Sequence, residues 1–132
     1  MRKARILIAD DEEGIRESLG LILEDEYELA FAENGEETLA KLKNEAFDLV
    51  LLDIKMPKID GLEALRQLQI RGNKVPVLIL TAYQSVELAK EAIKLGARDY
   101  LPKPFERDQI ISAVKDTLNS PRPLNTNTTK NN

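Results

Sequence analysis

Short apolar runs alternate with amphipathic helical patterns five times along this chain, a rhythm that leaves few folds open. Arg5 to Ala9 reads as a first strand. Ile15, Leu19, Ile22 and Leu23 then recur at helical spacing between about Glu12 and Asp25. Tyr27 to Ala32 sets Tyr27, Leu29 and Phe31 against Glu28, Ala30 and Ala32, the alternation of a second strand. A turn at Asn34-Gly35 leads into a short helix over Glu36 to Asn44, with Leu39 and Leu42 inward. Phe47 to Asp53 is almost wholly apolar, as a strand covered on both faces should be. Beyond Pro57, Asp60 caps a helix carrying Leu62, Leu65 and Leu68. Val75 to Thr81 forms a fourth strand, with Pro76 tolerated only near its start. Ser85 to Leu95 is a fourth helix, ended by Gly96 in the left-handed cap position. Arg98 to Leu101 is the fifth strand, and Phe105 to Leu118 the last helix, with Ile110, Ile111, Val114 and Leu118 apolar. Strand followed by helix, five times over, predicts an α/β domain built on a parallel sheet.

A chain of 132 residues has room for one such domain. Residues 1–118 are expected to form it. From Asn119 to Asn132 the composition changes, with Leu124 the sole large apolar residue among Pro121, Pro123 and several Asn and Thr. That stretch cannot bury enough surface to order itself and reads as a flexible linker or tail.

What is missing narrows the chemistry. There is no cysteine, so no disulfide, thiolate nucleophile or zinc-thiolate centre. There is no histidine either, which removes the usual general base. A net charge of -4 argues against direct nucleic-acid binding by this domain. The basic start Met1-Arg2-Lys3-Ala4-Arg5 precedes an apolar run too short for a signal peptide, and no segment reaches membrane-spanning length, so a cytoplasmic protein without a membrane partner is expected. The sequon Asn127-Thr128-Thr129 is then incidental.

Carboxylate, lysine and hydroxyl groups remain, and they stand where strands end. Asp10 and Asp11 follow the first strand, Asp53 the third, Thr81 closes the fourth, and Lys103 follows the fifth. Ligands of open α/β sheets bind beyond the carboxyl ends of the strands, so these five side chains are expected to share one crevice. Acidic residues at a helix start have a purely structural use as caps. A lone aspartate ending the most buried strand has no such use. Two carboxylates about 4 Å apart repel by roughly 4 kcal/mol at an effective dielectric of 20. The cluster therefore asks for a hard divalent cation and the Lys103 ammonium, and reads as a phosphate-handling site. The Lys103-Pro104 bond could aim that ammonium, or Pro104 could simply open a helix. Tyr100 on its own reads as core packing, and Pro57 and Gly61 as loop-shaping residues.

The set Ile8-Ala9-Asp10-Asp11, Leu51-Leu52-Asp53-Ile54-Lys55-Met56-Pro57 with Asp60-Gly61, Leu80-Thr81-Ala82, and Tyr100-Leu101-Pro102-Lys103-Pro104-Phe105 closely resembles the response-regulator receiver domain of two-component signalling. The resemblance covers about residues 4 to 118. It implies a flavodoxin-like (βα)5 three-layer sandwich with strand order 2-1-3-4-5. It implies that Asp53 accepts a phosphoryl group from a phosphohistidine on a sensor histidine kinase or a histidine phosphotransfer protein. Mg²⁺, for which Mn²⁺ could substitute, would be held by Asp11, Asp53 and the Lys55 backbone carbonyl, with Asp10 acting mainly through water. Thr81, Ala82 and Lys103 would contact the phosphoryl oxygens. Thr81 and Tyr100 would be the switch that alters the face of the fourth helix, fifth strand and fifth helix, where related receivers form homodimers. The protein would be a signalling switch rather than an enzyme in its own right, controlling an output, such as transcription, either through a domain missing from this chain or as a free-standing receiver.

The runs Thr81-Ala82-Tyr83-Gln84-Ser85-Val86-Glu87 and Gly96-Ala97-Arg98-Asp99-Tyr100 look most like receivers of AAA+ enhancer-binding activators of the nitrogen-regulatory type. Lys55 and Tyr83 flank the path by which water would reach the phosphoryl group, and neither is suited to orient a water, so slow self-dephosphorylation is expected. Two rivals fail on residues. A haloacid-dehalogenase-type phosphatase needs an acid where Lys55 stands, and a flavodoxin's first loop must cradle a phosphate that Asp10-Asp11-Glu12-Glu13 would repel. A degenerate receiver, docking partners without phosphorylation, is the alternative that acetyl phosphate labelling would test.

Overall fold

The computed structural model describes residues 2–82 and 86–119. Ten elements alternate in chain order: β1 (Arg5–Ala9), α1 (Glu13–Leu23), β2 (Glu28–Ala32), α2 (Gly35–Asn44), β3 (Leu49–Leu52), α3 (Gly61–Ile70), β4 (Val77–Thr81), α4 (Val86–Lys94), β5 (Asp99–Pro102) and α5 (Arg107–Asn119). All strand pairs are parallel, and the sheet order is β2-β1-β3-β4-β5, as the resemblance implied.

The parallel sheet needs cover on both faces, and alternate side chains of each strand supply two apolar layers. Leu7, Ala9, Val50, Leu52, Val77 and Ile79 face α2, α3 and α4 through Leu39, Leu42, Leu65, Leu68 and Ala92. Ile6, Ile8, Leu49, Leu51, Leu78 and Leu80 face α1 and α5 through Leu19, Leu23, Ile110 and Val114. All four residues of β3 are buried, and each leucine removed from water there contributes about 1.5–3 kcal/mol. That continuous apolar run is the reason β3 lies at the centre.

Several boundaries move. Asn34-Gly35 is not a free turn: Asn34 caps α2, its side chain accepting from the Glu37 N–H at 2.8 Å, and Gly35 is the first helical residue. β4 begins only at Val77, after Pro76, and the third strand contracts from Phe47–Asp53 to Leu49–Leu52. α5 runs from Arg107 to Asn119, against an expected Phe105 to Leu118. Asp60 does cap α3, accepting from Glu63 N–H at 2.9 Å. Gly96 has φ +106°, the left-handed conformation expected after α4. Tyr83, Ser85 and residues 120–132, on which the flanking, helix-start and tail expectations rest, lie outside the described residues.

Gly61 is buried at the start of α3 rather than free in a loop, and its N–H donates to the Ile54 carbonyl at 2.7 Å. A Cβ there would overlap the Asp53 carbonyl and crowd the Ile54 Cα, both rigid backbone. Gly61→Ala should therefore destabilise the fold by about 1–3 kcal/mol, the usual cost of overpacking. Urea unfolding checks this; a midpoint equal to wild type would contradict the close approach.

Candidate functional site

The end of each central strand is pinned by a backbone bond to its neighbour, and those bonds deliver the polar side chains to one place. Asp10 N–H donates to the Ala32 carbonyl at 3.0 Å, Asp53 N–H to Ala9 at 3.0 Å, and Lys103 N–H to Thr81 at 2.8 Å. The Lys103–Pro104 peptide is cis, and α5 begins only at Arg107, so Pro104 is not its first helical residue. At this rim the Lys103 Nζ lies 2.7 Å from Asp10 Oδ2, 3.2 Å from Glu12 Oε1 and 3.5 Å from Asp53 Oδ2. Oxygens of Asp10, Asp11 and Asp53 all lie within 4.8 Å of one another.

Burial makes these charges consequential. Asp10, Asp53, Thr81 and Lys103 are buried, while Asp11, Lys55 and Ala82 are exposed. Burial, and then the charge of Asp10, push the Asp53 carboxyl from 3.8 up to about 6. Lys103, the Thr81 hydroxyl and the Lys55 backbone N–H, which hydrogen-bond or attract the carboxylate, hold it from going higher. Asp10 is also raised, chiefly by burial, which outweighs its bond to Lys103. Burial works against the Lys103 ammonium, but the hydrogen bond and charge of Asp10 and the charge of Asp53 outweigh it and raise its pKa. One ammonium thus faces two buried carboxylates and cannot compensate both fully. The donor set is all oxygen, which suits Mg²⁺: Asp10, Asp11 and Asp53 are close enough to bind one hard cation together.

Tyr100 is half-buried, its ring packed against the α2–α3–α4 side of the core, on the strand next to Thr81. Pro57 is exposed in the β3–α3 loop. Two residues at the rim went unnoticed in the sequence. Glu12 reaches Lys103, and the Arg16 guanidinium donates to the Asp10 carbonyl at 2.8 Å, bracing the β1–α1 loop. No spacing rule singles out either. A glutamate at the N-cap, where Ser, Thr, Asp and Asn are preferred, was the one available signal for Glu12.

A parallel five-stranded sheet with this acidic rim and lysine defines a class of phosphoryl-handling α/β switch. The family model for the response regulator receiver domain matches residues 6–115. The chain belongs to that family, whose members are phosphorylation-activated signalling switches of two-component systems. It is 40% identical over 120 residues to the response regulator MprA of Mycobacterium sp. (strain KMS), covering 90% of this chain and 52% of that protein. The chain therefore spans about half the length of the curated relatives it matches. Among solved structures it is similar to a CheY-like receiver domain protein from Methanospirillum hungatei JF-1. There the TM-score is 0.83 at 35% identity, over 88% of this chain and 94% of that one. It is also similar to a chain of the CheX–CheY–BeF3–Mg complex from Borrelia burgdorferi, with TM-score 0.83 at 28% identity over 87% and 89% of the chains. The resemblance to receivers of AAA+ enhancer-binding activators finds no support among these relatives, which are MprA response regulators. Among the described residues no helix is long and apolar enough to cross a membrane.

Proposed function

We propose that Asp53 is the residue phosphorylated, with a partner's phosphohistidine as donor. The observation that carries this reading is the Asp53 carboxylate itself, buried at the end of β3 within 3.5 Å of the Lys103 ammonium. Asp53 would attack phosphorus, forming an acyl phosphate as the bond to the donor imidazole breaks. The chain has no histidine of its own, so a sensor histidine kinase or histidine phosphotransfer protein would bring it.

Asp11, Asp53 and the Lys55 backbone carbonyl would hold Mg²⁺, with Asp10 one water further out because its carboxylate is already engaged by Lys103. Mn²⁺ would suit the same oxygens. The bound cation would supply positive charge against the phosphoryl oxygens in transfer. Lys103, the Thr81 hydroxyl and the Ala82 backbone would hold those oxygens. Drawing Thr81 from Asp53 toward the phosphoryl group opens space beside Tyr100 on the neighbouring strand, which the ring would fill.

That movement would reach the α4–β5–α5 face. Val86 and Ile93 are exposed on α4 beside Glu87, Lys90, Glu91 and Lys94, with Arg98, Asp99, Arg107 and Asp108 on the following elements. We propose that this face forms a homodimer when Asp53 is phosphorylated, acting in the cytoplasm on an output, such as transcription, through a domain beyond this chain. Sedimentation with and without beryllofluoride tests it; monomers in both states would refute the dimer.

The phosphorylation itself is tested with acetyl phosphate and Mg²⁺. The protein should gain one phosphoryl mass, lost in EDTA and in Asp53→Asn. A protein that binds Mg²⁺ yet never labels would be the degenerate, phosphorylation-independent docking module.

A further inference from the structure

Resting on the reading that Asp53 is phosphorylated, we infer that Glu12 is a positioning residue that competes with the phosphoryl group for the Lys103 ammonium. An ammonium carries three N–H donors. Three carboxylates surround this one, from Asp10, Glu12 and Asp53, with Glu12 Oε1 at 3.2 Å. The Asp53 contact, at 3.5 Å, is too long for a good hydrogen bond, so a phosphoryl oxygen drawn into close contact with Lys103 competes with the two shorter ones, Asp10 and Glu12. Asp10 is buried, and among the described residues Lys103 is the cation paired with its carboxylate, at 2.7 Å, so its release is costly. Glu12 is exposed and can return to water, so it is the partner given up.

Glu12 is not held there by a duty to the helix. It occupies the N-cap of α1, yet its side chain makes no cap hydrogen bond. The Asp10 carboxylate instead accepts the Glu12 N–H at 2.9 Å and fixes the turn. The carboxylate of Glu12 is thereby left to reach Lys103, which lies 91 positions away in sequence. It restrains the lysine at the solvent rim of the site and sets how readily the unphosphorylated site engages a phosphoryl group.

The test is a double-mutant cycle on beryllofluoride affinity, measured by calorimetry at saturating Mg²⁺. Glu12→Gln should bind about three- to fivefold more tightly than wild type, the scale expected of a half-exposed ion pair. In the Lys103→Ala background Glu12→Gln should change nothing, because the competitor has lost its object. Raising ionic strength should narrow the gap between Glu12→Gln and wild type, since salt weakens the exposed pair. Equal affinity in wild type and Glu12→Gln would overturn the inference. So would the same gain in both backgrounds, which would mean that Glu12 acts by repelling the anion and not through Lys103. A wild-type protein that binds Mg²⁺ but no beryllofluoride would instead overturn the phosphorylation reading, and this inference with it.

Discussion

Asp53→Asn is expected to stabilise the metal-free protein at neutral pH by about 2–3 kcal/mol, while ending phosphorylation. Replacing a buried, hydrogen-bonded side chain ordinarily destabilises. Here the folded state carries two buried carboxylates against one ammonium, and the Asp53 carboxyl is raised from 3.8 to about 6. At about 1.4 kcal/mol per pH unit, ionising it in the fold costs roughly that amount relative to the unfolded chain. The sign of the pH dependence follows. Between about pH 4 and 6 the folded protein holds a proton on Asp53 that the unfolded chain has released. Stability from this group therefore falls as pH rises through that window and stays low above it. Asparagine carries no charge, so the mutant should lose this slope. Urea unfolding in EDTA at pH 5 and pH 7 reads both effects. A mutant less stable than wild type at pH 7, or one keeping the full wild-type slope, would show that the cluster is not strained by charge.

Lys103→Ala should act in the opposite direction from a position 3.5 Å away. It removes the cation shared by Asp10 and Asp53 and leaves two buried carboxylates facing each other. Breaking a buried pair from one side costs about 3–5 kcal/mol, and protonation of one carboxylate relieves part of it, so a loss of about 2–4 kcal/mol is expected in EDTA. Mg²⁺ should restore much of that stability, because the cation takes over the neutralising role. It should not restore phosphotransfer. A charge-assisted contact to the phosphoryl oxygens is worth about 1.5–3 kcal/mol, so acetyl phosphate labelling at saturating Mg²⁺ should slow by roughly 10- to 100-fold. Wild-type labelling rates in Lys103→Ala would contradict its role at the phosphoryl group, and wild-type stability in EDTA would contradict its role between the carboxylates.

These opposite signs come from neighbouring residues whose convergence was visible in the chain. Asp10, Asp53, Thr81 and Lys103 each end or follow a short apolar run, and parallel strands with helical crossovers must put such ends on one side. Leu49–Leu52 announced a central strand because nothing polar interrupts it. Edges were harder to read. Phe47 and Asp48 look like strand residues, yet the Phe47 ring stacks under the Arg5 guanidinium, 4.6 Å from ring centroid to Cζ, and Asp48 accepts the Arg5 N–H at 2.8 Å. Asp48 N–H also donates to the Arg5 carbonyl at 2.8 Å, but both residues stand before the paired register, which begins at Leu49. Gly61 looked like loop chemistry because its contact is with the backbone of Asp53, which no local pattern encodes. Glu12 and Arg16 were hidden among a run of charges that a solvated helix start would explain equally well. Their partners come from the loop after β5 and the end of β1, and only the fold brings those together.

The position of the phosphoryl group within the chain decides whether Asp53 is its acceptor. After treatment with acetyl phosphate and Mg²⁺, borohydride reduces an acyl phosphate to an alcohol and so marks the phosphorylated aspartate permanently. Fragment masses of the digested protein should place that mark at position 53, with Asp10 and Asp11 unchanged and no mark in protein treated in EDTA. A mark at Asp10, Asp11 or any other residue, or labelling that persists without the divalent cation, would contradict the account.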